Sequence, residues 1–306
     1  MSALFPHGQQ KGEHNAAFKC LRLSCLTILN LTLQSASHSL ASLSDQKGCR
    51  VPLNRREFLH LTGKGVVAST LLLPVAGLAT RQSHFKAIAF DAFAIFDPRP
   101  IFSLAETFFP GKGPELSNAW RTRQFEYQWL RGLAGRYVDF WQTTDDALVF
   151  AAKLLKLELT SEKREELMRG YLLLKAWPEV PSALHSLQGT GARLGLLSNM
   201  TPKMLEAGIE SAGLTEVFEH VLSTDQVRTY KPDPRAYQLA IDAFKVKRDD
   251  ILFVAFAGWD AAGAKWFGYP TFWVNRPALP EEELGVHPDA TGHDLTDLVT
   301  FVTNSH

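Results

Sequence analysis

Phe85-Lys86-Ala87-Ile88-Ala89-Phe90-Asp91 is a short apolar run that ends in a carboxylate. A run of this length, uncharged apart from Lys86, reads as a buried parallel strand. In open α/β sheets the C-terminal edge of such strands is where ligands bind. Taken alone, Asp91 could equally cap a following helix or start a turn. The segments further along the chain decide between these readings.

Outward from this run, apolar segments at 194–197, 221–223, 251–255 and 271–274 are predicted as strands. They alternate with helical stretches around 202–212, 234–245, 260–267 and 294–303. Alternation of this kind specifies an α/β chain with a parallel sheet and right-handed crossovers. Between the first strand and the rest lies a block rich in Leu, Trp and Phe with charged residues at helical spacing. The expected architecture is a Rossmann-like parallel-sheet core, 85–97 and 181–306, interrupted by a helical cap over 98–180 beside the strand tips.

Four strand tips carry polar chemistry. The first is Asp91. The second is Ser198-Asn199, directly after a strand and before a helix, where backbone N–H groups also point outward. The third is Tyr230-Lys231-Pro232-Asp233-Pro234, a lysine ahead of a proline-opened helix that carries Tyr237. The fourth is Gly258-Trp259-Asp260. Ser198, Asn199 and Asp260 could each be a plain helix cap, but the order carboxylate, hydroxyl, lysine, carboxylate is more specific than any member.

Composition removes several classes of function. Lys plus Arg (32) equals Asp plus Glu (32), so no net charge draws the chain to nucleic acid or an anionic membrane. Cys20, Cys25 and Cys49 all precede residue 50, so neither a disulfide framework nor a thiolate metal site can form beyond it. Residues 1–50 show no helical or strand period and are expected to be an untranslated or disordered extension. Arg55-Arg56 precedes the uncharged apolar stretch 65–79, and small residues close it. This resembles a twin-arginine export signal over 51–80 and implies a periplasmic or exported protein. The apolar stretch is too short to span about 30 Å of hydrocarbon, so no stable anchor is expected after cleavage. Val51 could correspond to a GUG start codon in an over-extended reading frame.

The order of the tips is similar to that of the haloacid dehalogenase-like hydrolase superfamily. Trp120-Arg121-Thr122-Arg123-Gln124-Phe125-Glu126-Tyr127-Gln128-Trp129-Leu130, Gly135-Arg136-Tyr137-Val138-Asp139-Phe140-Trp141 and Gly258-Trp259-Asp260-Ala261-Ala262-Gly263-Ala264 resemble the type II (S)-2-haloacid dehalogenases. The resemblance covers residues 85–303. The residues themselves speak against the metal-dependent phosphatases of the superfamily. Phe93 stands where those use a general acid, and Ala255, Phe256 and Ala257 supply no oxygen ligand to a hard cation.

The resemblance implies a metal-independent and cofactor-free reaction. Asp91 attacks C2 of a 2-haloalkanoate or related small carboxylate and forms an ester that water hydrolyses. It assigns Arg121, Asn199 and Trp259 to the departing halide. Ser198 and the backbone N–H groups of Ala92 and Asn199 are assigned to the substrate carboxylate. Lys231, positioned by Tyr237 and Asp260, keeps Asp91 ionised. A homodimer is also implied.

Two segments depart from the family pattern. Asp91-Ala92-Phe93-Ala94-Ile95-Phe96-Asp97 is one residue shorter than the family's first motif and lacks its threonine. Ala255 and Ala257 stand where the family carries Ser and Asn, which place the hydrolytic water. An alternative expectation is therefore a catalytically weak or inactive member that binds a small carboxylate.

Overall fold

A computed structural model describes residues 84–304. The extension at 1–50 and the expected export signal at 51–80 lie outside the described residues. The chain runs β1 (Ala87–Phe90), α1 (Ala92–Ile95), β2 (Phe96–Asp97), α2 (Arg99–Phe108), α3 (Gly113–Leu133), α4 (Phe140–Leu154) and α5 (Ser161–Arg169). It continues through β3 (Lys175–Ala176), α6 (Val180–Gln188), β4 (Arg193–Ser198), α7 (Pro202–Ala212), β5 (His220–Ser223) and α8 (Pro234–Phe244). The last elements are β6 (Ile251–Ala255), α9 (Gly258–Phe267), β7 (Thr271–Val274), β8 (Ala290–Gly292) and α10 (Leu295–Asn304).

Six strands form one parallel sheet in the order β5-β4-β1-β6-β7-β8. β1 is central and all four of its residues are buried, which is why its sequence is apolar on both faces. Ile88 and Phe90 pack on one side with Leu194, Leu196, Leu252 and Val254. Ala87 and Ala89 face the other way, beside Leu197, Phe253 and Tyr237. The predicted strands and the alternating helices are present. The first strand starts two residues later than the apolar run, and β8 has no apolar signature.

Local chemistry sets the element boundaries. Thr201 accepts a hydrogen bond from Met204 N and Pro202 opens α7. Gly213 ends that helix at φ +68°, a conformation that favours glycine. Asp233 and Pro234 begin α8 in the same manner.

Residues 99–172 contain helices and no strand. Their two ends return to the core through the antiparallel pair β2–β3, where Phe96 lies opposite Ala176. In α3 the buried residues Leu116, Trp120, Gln124 and Gln128 recur every fourth position. That spacing makes one stripe along the helix, apolar at its start and polar at its end. No helix among the described residues is long and apolar enough to cross a membrane.

Candidate active site

β1, β4 and β6 end at the same edge of the sheet, so the residues that follow them converge. Asp91 leaves β1 and caps α1, its Oδ2 accepting from Phe93 N at 2.9 Å. The segment that the sequence marks as a shortened loop is therefore a single helical turn. Ala92 is the first residue of that turn, where the backbone N–H has no intrahelical acceptor.

Lys231 joins the tips. Its Nζ donates to Asp91 Oδ1 at 2.7 Å and to Asp260 Oδ2 at 2.6 Å. Asp260 Oδ1 accepts from the Tyr237 hydroxyl at 2.7 Å. Tyr237 reaches this position because α9 has Gly263 beneath it: a Cβ there would lie 2.5 Å from the hydroxyl. The Lys231 ammonium also sits 5.1 Å from the Phe253 ring centre.

The exposures separate the two acids. The side chains of Lys231 and Asp260 are 1% and 2% exposed, whereas that of Asp91 is 12% exposed. Asp91 is the more open of the two carboxylates. Burial opposes the charge on Lys231, but Asp260 and Asp91 outweigh it and raise its pKa above that of an ordinary lysine. Burial pushes Asp260 up to about 6, with Asp91 adding to the rise and Lys231 opposing it. The causes differ: the two carboxylates keep the proton on Lys231 against its burial, whereas burial itself is the main force that raises Asp260.

Asn199 follows β4. Its Oδ1 accepts from Lys231 N at 2.9 Å and from the Thr224 hydroxyl at 3.3 Å. Its Nδ2 donates to Gln128 Oε1 at 2.7 Å, a bond from the core to α3. Ser198 Oγ accepts from Met200 N at 3.1 Å. Trp259 Nε1 is buried with no hydrogen-bond partner among the described residues.

Two cavities meet here. The inner one, about 30 Å³, is lined by Asp91, Ser198, Asn199, Gln128, Trp259 and Asp260 together with apolar side chains. The outer one, about 360 Å³, is lined mainly by aromatic and aliphatic groups and includes Arg121. Phe93, Phe125, Phe256, Ala257 and Trp259 line both and form the partition between them. Phe93 and Phe256 lie 6.1 Å apart, and Trp259 meets Phe125 and Trp129 edge-on at 5.4 and 5.6 Å.

The structure brings together Asp91, Ala92, Ser198, Asn199, Lys231, Tyr237, Trp259 and Asp260. It does not bring Arg121 to Asp91: Arg121 is exposed on α3 and lines the outer cavity, not the inner one. The sequence reading omitted Gln128, which is fully buried against Asn199. Its signal was present in the four-residue spacing from Leu116 through Trp120 and Gln124. A polar residue on that stripe has to have a partner.

Comparison with known proteins places the chain. A profile of the haloacid dehalogenase-like hydrolases matches residues 60–268. An (S)-2-haloacid dehalogenase of Pseudomonas sp. (strain YL) is 44% identical over 209 residues, 68% of this chain and 90% of that protein. Haloacetate dehalogenase H-2 of Moraxella sp. (strain B) is 41% identical, over 69% of this chain and 94% of its own length. Among solved structures, the L-2-haloacid dehalogenase of Xanthobacter autotrophicus with chloropropionic acid covalently bound has a TM-score of 0.67 and 32% identity. That match covers 72% of this chain and all of that one (100%). The chain belongs to the haloacid dehalogenase-like hydrolase family, in its (S)-2-haloacid dehalogenase branch.

Proposed function

We propose that the protein is a hydrolytic dehalogenase of (S)-2-haloalkanoic acids that works through an ester on Asp91. One observation carries the reading: Asp91 is ion-paired with a buried lysine and, of the two acids of that cluster that line the inner cavity, is the more exposed. Such a carboxylate is held in place and aimed, as a nucleophile requires. The X. autotrophicus relative, with its covalently bound chloropropionic acid, supports the same chemistry.

In the first step an Asp91 oxygen bonds to C2, and the carbon–halogen bond breaks with its electron pair leaving on the halide. Configuration at C2 inverts. In the second step water adds to the Asp91 carbonyl carbon; the 2-hydroxy acid departs and the carboxylate returns. Lys231 stabilises ionised Asp91, and Tyr237 and Asp260 hold Lys231. Ser198 and the N–H groups of Ala92 and Asn199 take the substrate carboxylate. Asn199 Nδ2 and the unpartnered Trp259 N–H receive the halide, and Arg121 supplies positive charge from the outer cavity. No metal or cofactor enters either step, so a chelator leaves turnover unchanged.

The helical segment 98–180 acts as a cap over the 85–97 and 181–306 core. The protein acts after export through the Arg55-Arg56 signal, without a lasting membrane anchor. It pairs as a homodimer, for which exposed Leu130 and Leu133 near the end of α3 offer apolar surface. Fractionation of cells carrying Arg55→Lys and Arg56→Lys tests the export, and light scattering tests the pairing.

Chloride release from the two enantiomers of 2-chloropropionate tests the activity. The wild type releases chloride from the (S) form alone, and Asp91→Asn releases none. Equal release by Asp91→Asn contradicts the assignment.

A further inference from the structure

Gln128 is a polar side chain at the buried end of an otherwise packed helix face, and it is fully enclosed. Its hydrogen bonds leave a single consistent orientation. Lys231 N–H can only donate, so the group that meets it on Asn199 is Oδ1, which also takes the Thr224 hydroxyl. Asn199 Nδ2 therefore points the other way, at Gln128 Oε1, 2.7 Å away. Gln128 Nε2 then turns back to the Gln124 carbonyl of its own helix at 3.2 Å. Gln124 is anchored in turn, its Nε2 donating to the Thr144 hydroxyl at 2.6 Å.

The result bears on the site because Asn199 carries two Nδ2 protons. One is taken by Gln128, and the other is left for the cavity that both residues line with Asp91 and Trp259. That cavity, about 30 Å³, exceeds the roughly 10–15 Å³ that one water needs. It suits one small monatomic species, the size class of a departing halide. Arg121 does not line it.

We propose that Gln128 is a positioning residue of the dehalogenation: it fixes the Asn199 amide so that one N–H is aimed at the leaving halide. The proposal rests on the dehalogenase reading above. It also makes halide stabilisation depend on α3, since the acceptor that orients Asn199 lies on the helical insertion and not on the sheet.

The test is leaving-group selectivity, measured as kcat/KM for (S)-2-bromopropionate over (S)-2-chloropropionate with the full-length protein. Chloride is the poorer leaving group and gains more from an aimed N–H. Gln128→Met keeps the volume and removes the acceptor, so the bromo-to-chloro ratio rises roughly tenfold. A purely structural defect lowers both rates together and leaves the ratio alone. Because Gln128 acts through Asn199, Gln128→Met added to Asn199→Ala shifts the ratio no further.

Gln128→Glu keeps an acceptor and adds a negative charge beside the cavity. It weakens inhibition by bromide about tenfold or more, and it serves where the methionine variant fails to fold. An unchanged ratio in Gln128→Met, additivity with Asn199→Ala, or unchanged bromide inhibition in Gln128→Glu overturns the role while wild-type turnover stands. Absence of halide release by the wild type overturns the dehalogenase reading and this role with it.

Discussion

Lys231 Nζ lies 2.7 Å from Asp91 Oδ1 and, on its other side, 2.6 Å from Asp260 Oδ2; both acids line the inner cavity, and the Asp91 side chain is the more exposed. One cation thus serves an acid that stays enclosed and an acid that is free to react. The difference between them is burial, since both bond to the same nitrogen.

Replacing Lys231 by Met leaves two facing carboxylates with no cation in a dry site. Removing one partner of a buried ion pair costs about 3–5 kcal/mol. Urea unfolding at pH 7.5 is expected to show a loss of about that size, and halide release falls at least about a hundredfold. At pH 5 the stability loss shrinks, because protonated carboxylates no longer need the cation. An equal loss at both pH values contradicts the account.

Asp260 gives a pH signature of its own. Its pKa rises from 3.8 to about 6 on folding, so between these values the native state binds the proton that the unfolded chain has released. The sign follows: its contribution to stability falls as pH rises from about 4 to about 6 and is level above. Asp260→Asn removes this fall. Melting temperature against pH, compared between wild type and variant, measures it; parallel curves through that window rule it out.

Much of this arrangement is legible in the residues. Asp91 and Ser198 close apolar runs that read as strands, so their convergence follows from sheet topology; Lys231 lies beyond β5 and the turn that follows it, and Asp260 lies inside α9, so neither stands at a strand tip as the sequence suggests. β2 and β3 are two residues each, and β8 reads Ala-Thr-Gly, too short and too mixed for any period to register. Arg121 illustrates a second limit. Its motif identifies the helix and the family, but which cavity its side chain lines depends on the rotation and depth of α3, a tertiary property. Gln128 is the converse, an unremarked polar residue whose place on the buried stripe gives it a partner across the site.

The water-activating side that the family builds from Ser and Asn is apolar in this chain. Ala255 is buried, and Ala257 and Phe256 line the inner cavity. Hydrolysis of the ester is therefore expected to be the slow step. Rapid mixing with (S)-2-chloropropionate is expected to release about one halide per active site in a burst, followed by a slower steady state. Ala257→Asn, which restores a polar side chain at the cavity wall, raises the steady rate by about tenfold or more and leaves the burst unchanged. Steady release without a burst contradicts this order of steps.

The most direct measurement is the mass of the protein quenched during turnover of (S)-2-chloropropionate. Attack by Asp91 predicts an added propionate, and peptide mapping places it on Asp91 and nowhere else. Halide release with no adduct at any time, or with the adduct on another residue, contradicts the claim that Asp91 is the nucleophile.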